Sequence, residues 1–163
     1  MKIDKELFVK ALENFDFDYK SEVQKVTDKS IEFFENLKLP TELIEFLREF
    51  SFRGEIDFKG NSFHCVNRIR TENRNEINKE IYKSNLLIIG SGMNGDPIVL
   101  NTKTMTVGYV FHDQLWESET VEKLESMYID LNLSIGDFFY KSVEDEDFPI
   151  DAYSAEEYLE KSR

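Results

Sequence analysis

Three glycines, Gly90, Gly92 and Gly95, stand in G-x-G-x-x-G spacing within LLIIGSGMNGDPIVL, directly after an apolar run that reads as a strand. In a dinucleotide-binding turn, such glycines let the backbone approach a pyrophosphate, whose charge is held by the free N–H groups opening the next helix. This sequence does not supply that helix. Asp96 to Leu100 is β-prone, and only ten residues separate Gly95 from Thr106, fewer than a crossover helix and its loops require. Asn94-Gly95 offers two residue types that tolerate positive φ, which a hairpin turn demands. We therefore expect a strand, a turn and a second strand, with no cofactor.

The remaining reactive side chains form no catalytic frame. Ser91 lies between two glycines but lacks the G-x-S-x-G context of a nucleophile elbow. His64, Cys65, His112 and Asp113 make a metal site only on paper, because the two clusters are distant in sequence and neither contains H-x-x-x-H or C-x-x-C. Glu144 to Asp147 reads as a solvated acidic turn, not as a general acid and base. No P-loop is present. The expectation is a non-enzymatic protein with no catalytic, cofactor-binding or metal-binding residues.

The elements that must position these residues follow from periodicity. Leu7, Phe8, Ala11, Leu12 and Phe15 repeat at helical spacing. Ser21 with Gln24 reads as a capping box opening a second helix to about Leu37, with Val23, Val26, Ser30, Phe33, Phe34 and Leu37 inward and Asn36 suited to its C-terminus. Pro40 opens a third helix carrying Leu43, Phe46, Leu47 and Phe50 on one face. From residue 51 the period shortens, predicting strands over 52–58, 62–67, 86–89, 97–100 and 106–112, with 68–85 a loop or short helix lying over the sheet. Helices are expected again over 118–129, 134–143 and 154–161, the last opened by Ser154 and Glu157. Helices, strands, then helices is an α+β pattern: one domain over 1–163, with an antiparallel sheet of about five or six strands and helices packed on one face.

Composition narrows the function classes. The 163 residues include 14 Phe and 7 Tyr, enough apolar surface for a core without disulfides. Cys65 is the single cysteine, no apolar stretch approaches a bilayer span, and MKIDKELFVKALENF mixes charge throughout. These features predict a cytoplasmic protein. The net charge of −13 disfavours nucleic acid and anionic membranes as partners. That charge is uneven: residues 1–111 carry 18 acidic and 16 basic side chains, whereas residues 112–163 carry 15 and 4. The C-terminal third thus reads either as a solubility device or as a docking surface for a basic protein.

Three blocks resemble one family. IEFFENLKLPTELIEFLREF is similar to the opening signature of the SUKH superfamily, with Glu32, Leu39, Pro40, Phe46 and Leu47 at its positions. LLIIGSGMNGDPIVLNTKTMTVGYVFHD resembles its central block, where a loop ending in Gly-Asp joins two strands; Gly95, Asp96, Ile98, Leu100, Gly108 and Val110 fall at or near those places. LNLSIGDFFYKSV resembles the late helix, through Ser134, Phe138 and Phe139. The blocks occur in the family's order over roughly residues 20–143.

The resemblance implies an α+β fold and a non-enzymatic role. Most bacterial members are immunity proteins that neutralise a cognate polymorphic toxin, often a nuclease, and fungal relatives act as scaffolds in cell-wall synthesis. Acidity fits capture of a basic toxin, since complementary charge speeds association and acidic side chains can occupy a phosphate-binding site. Inhibition then needs only occlusion. Candidate partner-binding residues are Trp116, Glu117, Glu119, Glu144, Asp145 and Glu146, with Trp116 the aromatic anchor among acids. The expected partner is a protein toxin, and the expected state a monomer or weak homodimer. A regulatory scaffold binding an endogenous protein is the alternative. An NAD-dependent or hydrolytic enzyme survives only through Gly90, Gly92, Gly95 and Ser91.

Overall fold

The computed structural model describes residues 3–16, 18–117 and 124–163. Three helices come first: α1 (Lys5–Glu13), α2 (Asp28–Asn36) and α3 (Thr41–Glu49). Strands β1 (Ile56–Phe58) and β2 (Asn61–Phe63) precede helices α4 (Val66–Arg74) and α5 (Lys79–Lys83). The sheet resumes with β3 (Leu86–Ser91), β4 (Pro97–Asn101) and β5 (Val107–Val110). Helix α6 (His112–Glu117), strand β6 (Tyr128–Leu133) and helices α7 (Ile135–Glu144) and α8 (Ala152–Lys161) complete it. The six strands lie in chain order, every neighbouring pair antiparallel. This is the α+β meander that the alternation of periods predicts.

Strands β3 and β4 are apolar on both faces, so both faces must be covered. On one face Leu87, Ile89, Ile98, Leu100, Val107 and Tyr109 pack into the main core with helices α1, α2, α3, α4 and α7. Phe8 of α1 sits near its centre, its ring 4.9 Å from Phe50, 5.1 Å from Phe46 and 5.3 Å from Phe63, all edge-on. Edge-on contact suits ring quadrupoles and adds to the area term, so truncating a buried Phe here would cost about 3–5 kcal/mol. On the opposite face Leu86, Ile88, Val99 and Val110 form a smaller cluster with Ile81 of α5, Leu115 of α6, Leu124 and Met127. The short helices α5 and α6 thus cover a second face that the main helices leave open.

Several boundaries differ from expectation. No helix starts at Ser21. A 3₁₀ turn occupies Tyr19–Glu22, Val23 bridges to Phe52, and the Gln24 N–H donates to the Ser51 carbonyl, so this backbone is committed to strand-like pairing. Thr27 is the true N-cap of α2, its hydroxyl accepting from the Ser30 N–H. The left-handed residue after α2 is Lys38, not Asn36. The N-cap of α8 lies three residues earlier than expected, at Asp151 in place of Ser154: the Ser154 N–H donates to Asp151 Oδ1 and the Asp151 N–H to Ser154 Oγ.

The largest revision lies in the expected helix over 118–129. Residues 118–123 fall outside the described residues, but 124–126 form a 3₁₀ turn and 128–133 the sixth strand, paired to β5. YIDLNL alternates apolar and polar side chains, and the β5 edge supplies the backbone partners that this period needs. The polar stretch 68–85, expected as a loop or short helix, is helical in α4 and α5, and the strand expected over 62–67 stops at Phe63, with Val66 and Asn67 opening α4.

Candidate functional site

The glycine stretch is a hairpin. Strand β3 continues through Gly90 and Ser91, which pair with Ile98 and Pro97 across a bulge at Ile89. Gly90 is required by a neighbour, not by a ligand: a Cβ there would stand 1.9 Å from the Ser62 carbonyl oxygen of β2. Gly95 has φ +92°, whereas Asn94 keeps ordinary φ and uses its side chain to accept from the Asp96 N–H. Three of the turn's N–H groups are taken: Gly92 donates to the Asp96 carbonyl, Gly95 to that of Gly92 and Met93 to that of Ile150. An open hollow of about 600 Å³ adjoins them, lined by Gly60, Ser62, Ser91, Gly92 and Met93 among others. With those donors already paired, its walls lack the array that would hold a pyrophosphate.

The turn instead delivers Asp96 into the protein. This carboxyl is fully buried. Its Oδ1 accepts from the His112 N–H at 2.9 Å and lies 2.6 Å from His112 Nδ1, while its Oδ2 accepts from the Ala152 N–H at 2.8 Å. His112 is the first residue of α6 and Ala152 the first of α8, so one side chain satisfies otherwise orphaned donors at two helix starts. Negative charge is favoured at that end of a helix.

Helices α6 and α8 are then linked directly. The Tyr153 hydroxyl donates to Asp113 Oδ2 at 2.5 Å, and the Tyr153 ring packs edge-on against Phe111 at 4.8 Å. This hydrogen bond holds the Asp113 carboxyl below, and the Tyr153 phenol above, their usual ranges. Trp116, 40% exposed, stacks at a tilt 5.3 Å from the His112 ring and donates from Nε1 to Asn78 Oδ1 at 3.2 Å. That bond brings the turn carrying exposed Ile77 beside α6.

Of the sequence candidates, Trp116 and exposed Glu117 lie on α6. Glu144, Asp145 and Glu146 lie at the end of α7 and in the turn before α8, where Asp145, Asp147, Ser154, Glu157 and Lys161 line a groove. Trp116 and Glu117 are thus linked to one side of α8 through α6, and the acidic turn borders a groove along that helix. Glu119 lies outside the described residues. Sequence reasoning missed Tyr153 and Ile77, although Tyr153, Glu156, Glu157 and Glu160 recur at helical spacing and are all exposed. His64 and His112, paired on paper in a metal site, each face a carboxylate of their own, Glu55 at 2.6 Å and Asp96 at 2.6 Å. Among the described residues no three His, Cys, Asp or Glu side chains converge on a metal position. Nor is any described helix long and apolar enough to cross a membrane.

No curated protein and no solved structure matches the chain. A family model does: that of the SMI1/KNR4 family (SUKH-1) matches residues 25–141, from the approach to α2 into α7 and including the Gly95-Asp96 turn. The family is linked to bacterial immunity proteins and fungal regulators, which fits a protein-binding, non-catalytic role. On a match covering most of its length, the chain belongs to the SMI1/KNR4 (SUKH-1) family.

Proposed function

We propose that this protein is a cytoplasmic immunity protein, which binds a cognate bacterial toxin and neutralises it by occlusion. One observation carries the reading: two exposed aromatics, Trp116 of α6 and Tyr153 of α8, stand on directly linked helices within the acidic segment. Among the described residues Ile77, Tyr82, Met93, Trp116 and Tyr153 are the exposed large hydrophobics, and none lies on α1, α2, α3 or α7. Trp116 and Tyr153 are flanked by Asp113, Glu117 and Glu156, in a segment carrying 15 acidic and 4 basic side chains. Aromatic anchors within a charged rim are the usual anatomy of a tight interface. The rim chemistry favours a basic partner, a nuclease among such toxins, whose phosphate-binding site the acids would fill.

Co-expression with a candidate toxic domain encoded by a neighbouring gene tests the proposal. Rescue of growth and co-elution on gel filtration are expected; unchanged toxicity with no complex would refute it. The family's fungal members favour a second reading, a scaffold for an endogenous protein. A native pull-down that returns a housekeeping protein and no toxin would select it.

A further inference from the structure

We infer that Asp96 is the positioning residue of the docking surface, clamping α6 and α8 in the relative placement the partner meets. The inference rests on the reading above. Trp116, Glu117 and Asp113 belong to α6, and Tyr153 and Glu156 to α8. These helices are separated in sequence by β6 and α7, so nothing local fixes their mutual position. The carboxyl of Asp96 does so from beneath the surface. Its two oxygens divide the work, Oδ1 taking both donors of His112 and Oδ2 the Ala152 N–H. The clamp is itself held: the Asp96 carbonyl accepts from the Gly92 N–H at 2.8 Å, and its N–H donates to Asn94 Oδ1 at 3.0 Å. His112 carries the effect outward, since its ring lies against Trp116. A partner that must contact both helices at once gains affinity when their ordering cost has already been met by folding.

Asp96→Ala removes both arms. Asp96→Asn keeps one acceptor and turns an NH₂ toward the other donor, so one helix start loses its partner. Because Trp116 is the single tryptophan, its fluorescence reports this corner alone. In Asp96→Ala the His112 and Ala152 amides should both exchange about tenfold faster or more, as expected for losing a hydrogen bond to a charged group, in Asp96→Asn at least the one facing the NH₂ should do so, and Trp116 anisotropy should fall in both. Unchanged exchange at both amides would overturn the clamp whatever the binding result.

The second arm titrates the toxic domain against Asp96→Ala, Asp96→Asn and Leu47→Ala, a buried α3 variant that lowers melting temperature without touching α6 or α8. Binding should weaken about tenfold or more in the Asp96 variants and stay within about twofold in Leu47→Ala. Equal loss in all three would make Asp96 a stability residue only and refute its positioning role. Failure of the parent protein to bind would overturn the functional reading and the docking role together, while the exchange arm would still decide the clamp.

Discussion

Tyr109→Phe probes the buried polar network that anchors the loop leading into α8. Tyr109 is fully buried in β5, its hydroxyl 2.6 Å from Asn61 Oδ1 and 2.8 Å from the Pro149 carbonyl oxygen. Asn61 Nδ2 donates to the same Pro149 carbonyl at 2.9 Å and to Ser142 Oγ at 3.1 Å. Four elements therefore meet at one site: β2, β5, α7 and the loop before α8. Phenylalanine fills the same ring volume, so no cavity opens and the transfer term nearly vanishes. What is lost is the hydroxyl proton that satisfies the Asn61 carbonyl oxygen, leaving a buried acceptor unpaired. That should cost about 1–3 kcal/mol, which lowers the melting temperature by roughly 2–12 °C for a domain of this size. Urea unfolding followed by circular dichroism measures the cost, and the m-value should not change. A loss below about 0.5 kcal/mol would refute the reasoning, because it would mean that the network is not satisfied through Tyr109. The same burial pushes the Tyr109 phenol well above its ordinary range, so alkaline difference spectra of the folded protein should show it silent.

Other perturbations separate the remaining claims. Gly90→Ala drives a methyl into the Ser62 carbonyl of a central strand pair and should cost about 3 kcal/mol or more, whereas Gly54→Ala meets open space and should stay within about 0.5 kcal/mol by thermal melting. Burial, reinforced by the Arg68 charge, holds the His64 imidazole below its ordinary value. The unfolded chain therefore binds a proton first, and stability should fall as pH drops through about 6.5 toward the folded-state value, by at most about 1.4 kcal/mol per pH unit. His64→Gln should remove that dependence in pH-resolved denaturant titrations; an unchanged profile would assign it elsewhere. Trp116→Ala should raise the toxin dissociation constant by about thirtyfold, as a hot-spot truncation does, with little loss of stability in calorimetry. Raising salt should slow association of that complex, and a salt-independent rate would remove the acidic rim from the account.

How far the sequence could be read depended on whether a signal was local. The stripe Leu43, Phe46, Leu47 and the alternation through TVGYV place α3 and β5 to within a residue or two, because α3 buries one face at helical period and β5 sends alternate side chains into cores on opposite faces of the sheet. The glycine stretch is readable as a hairpin from the short connection, the β-prone run after Gly95 and the turn types Asn94-Gly95. The Ser21 capping box misled because Gln24 spends its backbone on Ser51, a partner 27 positions away that no local pattern announces. Strand β6 shows the converse: YIDLNL has period two, but so short a run becomes a strand only because the β5 edge supplies its backbone partners.

For the candidate site the division is sharper. Residue types and their order are enough to establish an acidic C-terminal third, an apolar core rich in phenylalanine, a turn at Gly95 and the family to which the chain belongs. They also single out Asp96, but only as a marker. Its role depends on distance: Ala152 is 56 positions away in sequence and 2.8 Å away in space. Sequence periodicity reports which face of an element is buried, because that is a property of one segment. Which helix starts share a carboxyl, and which acids stand beside an exposed aromatic, are set by how the sheet and its two covered faces bring separate segments together, and only the tertiary structure decides that.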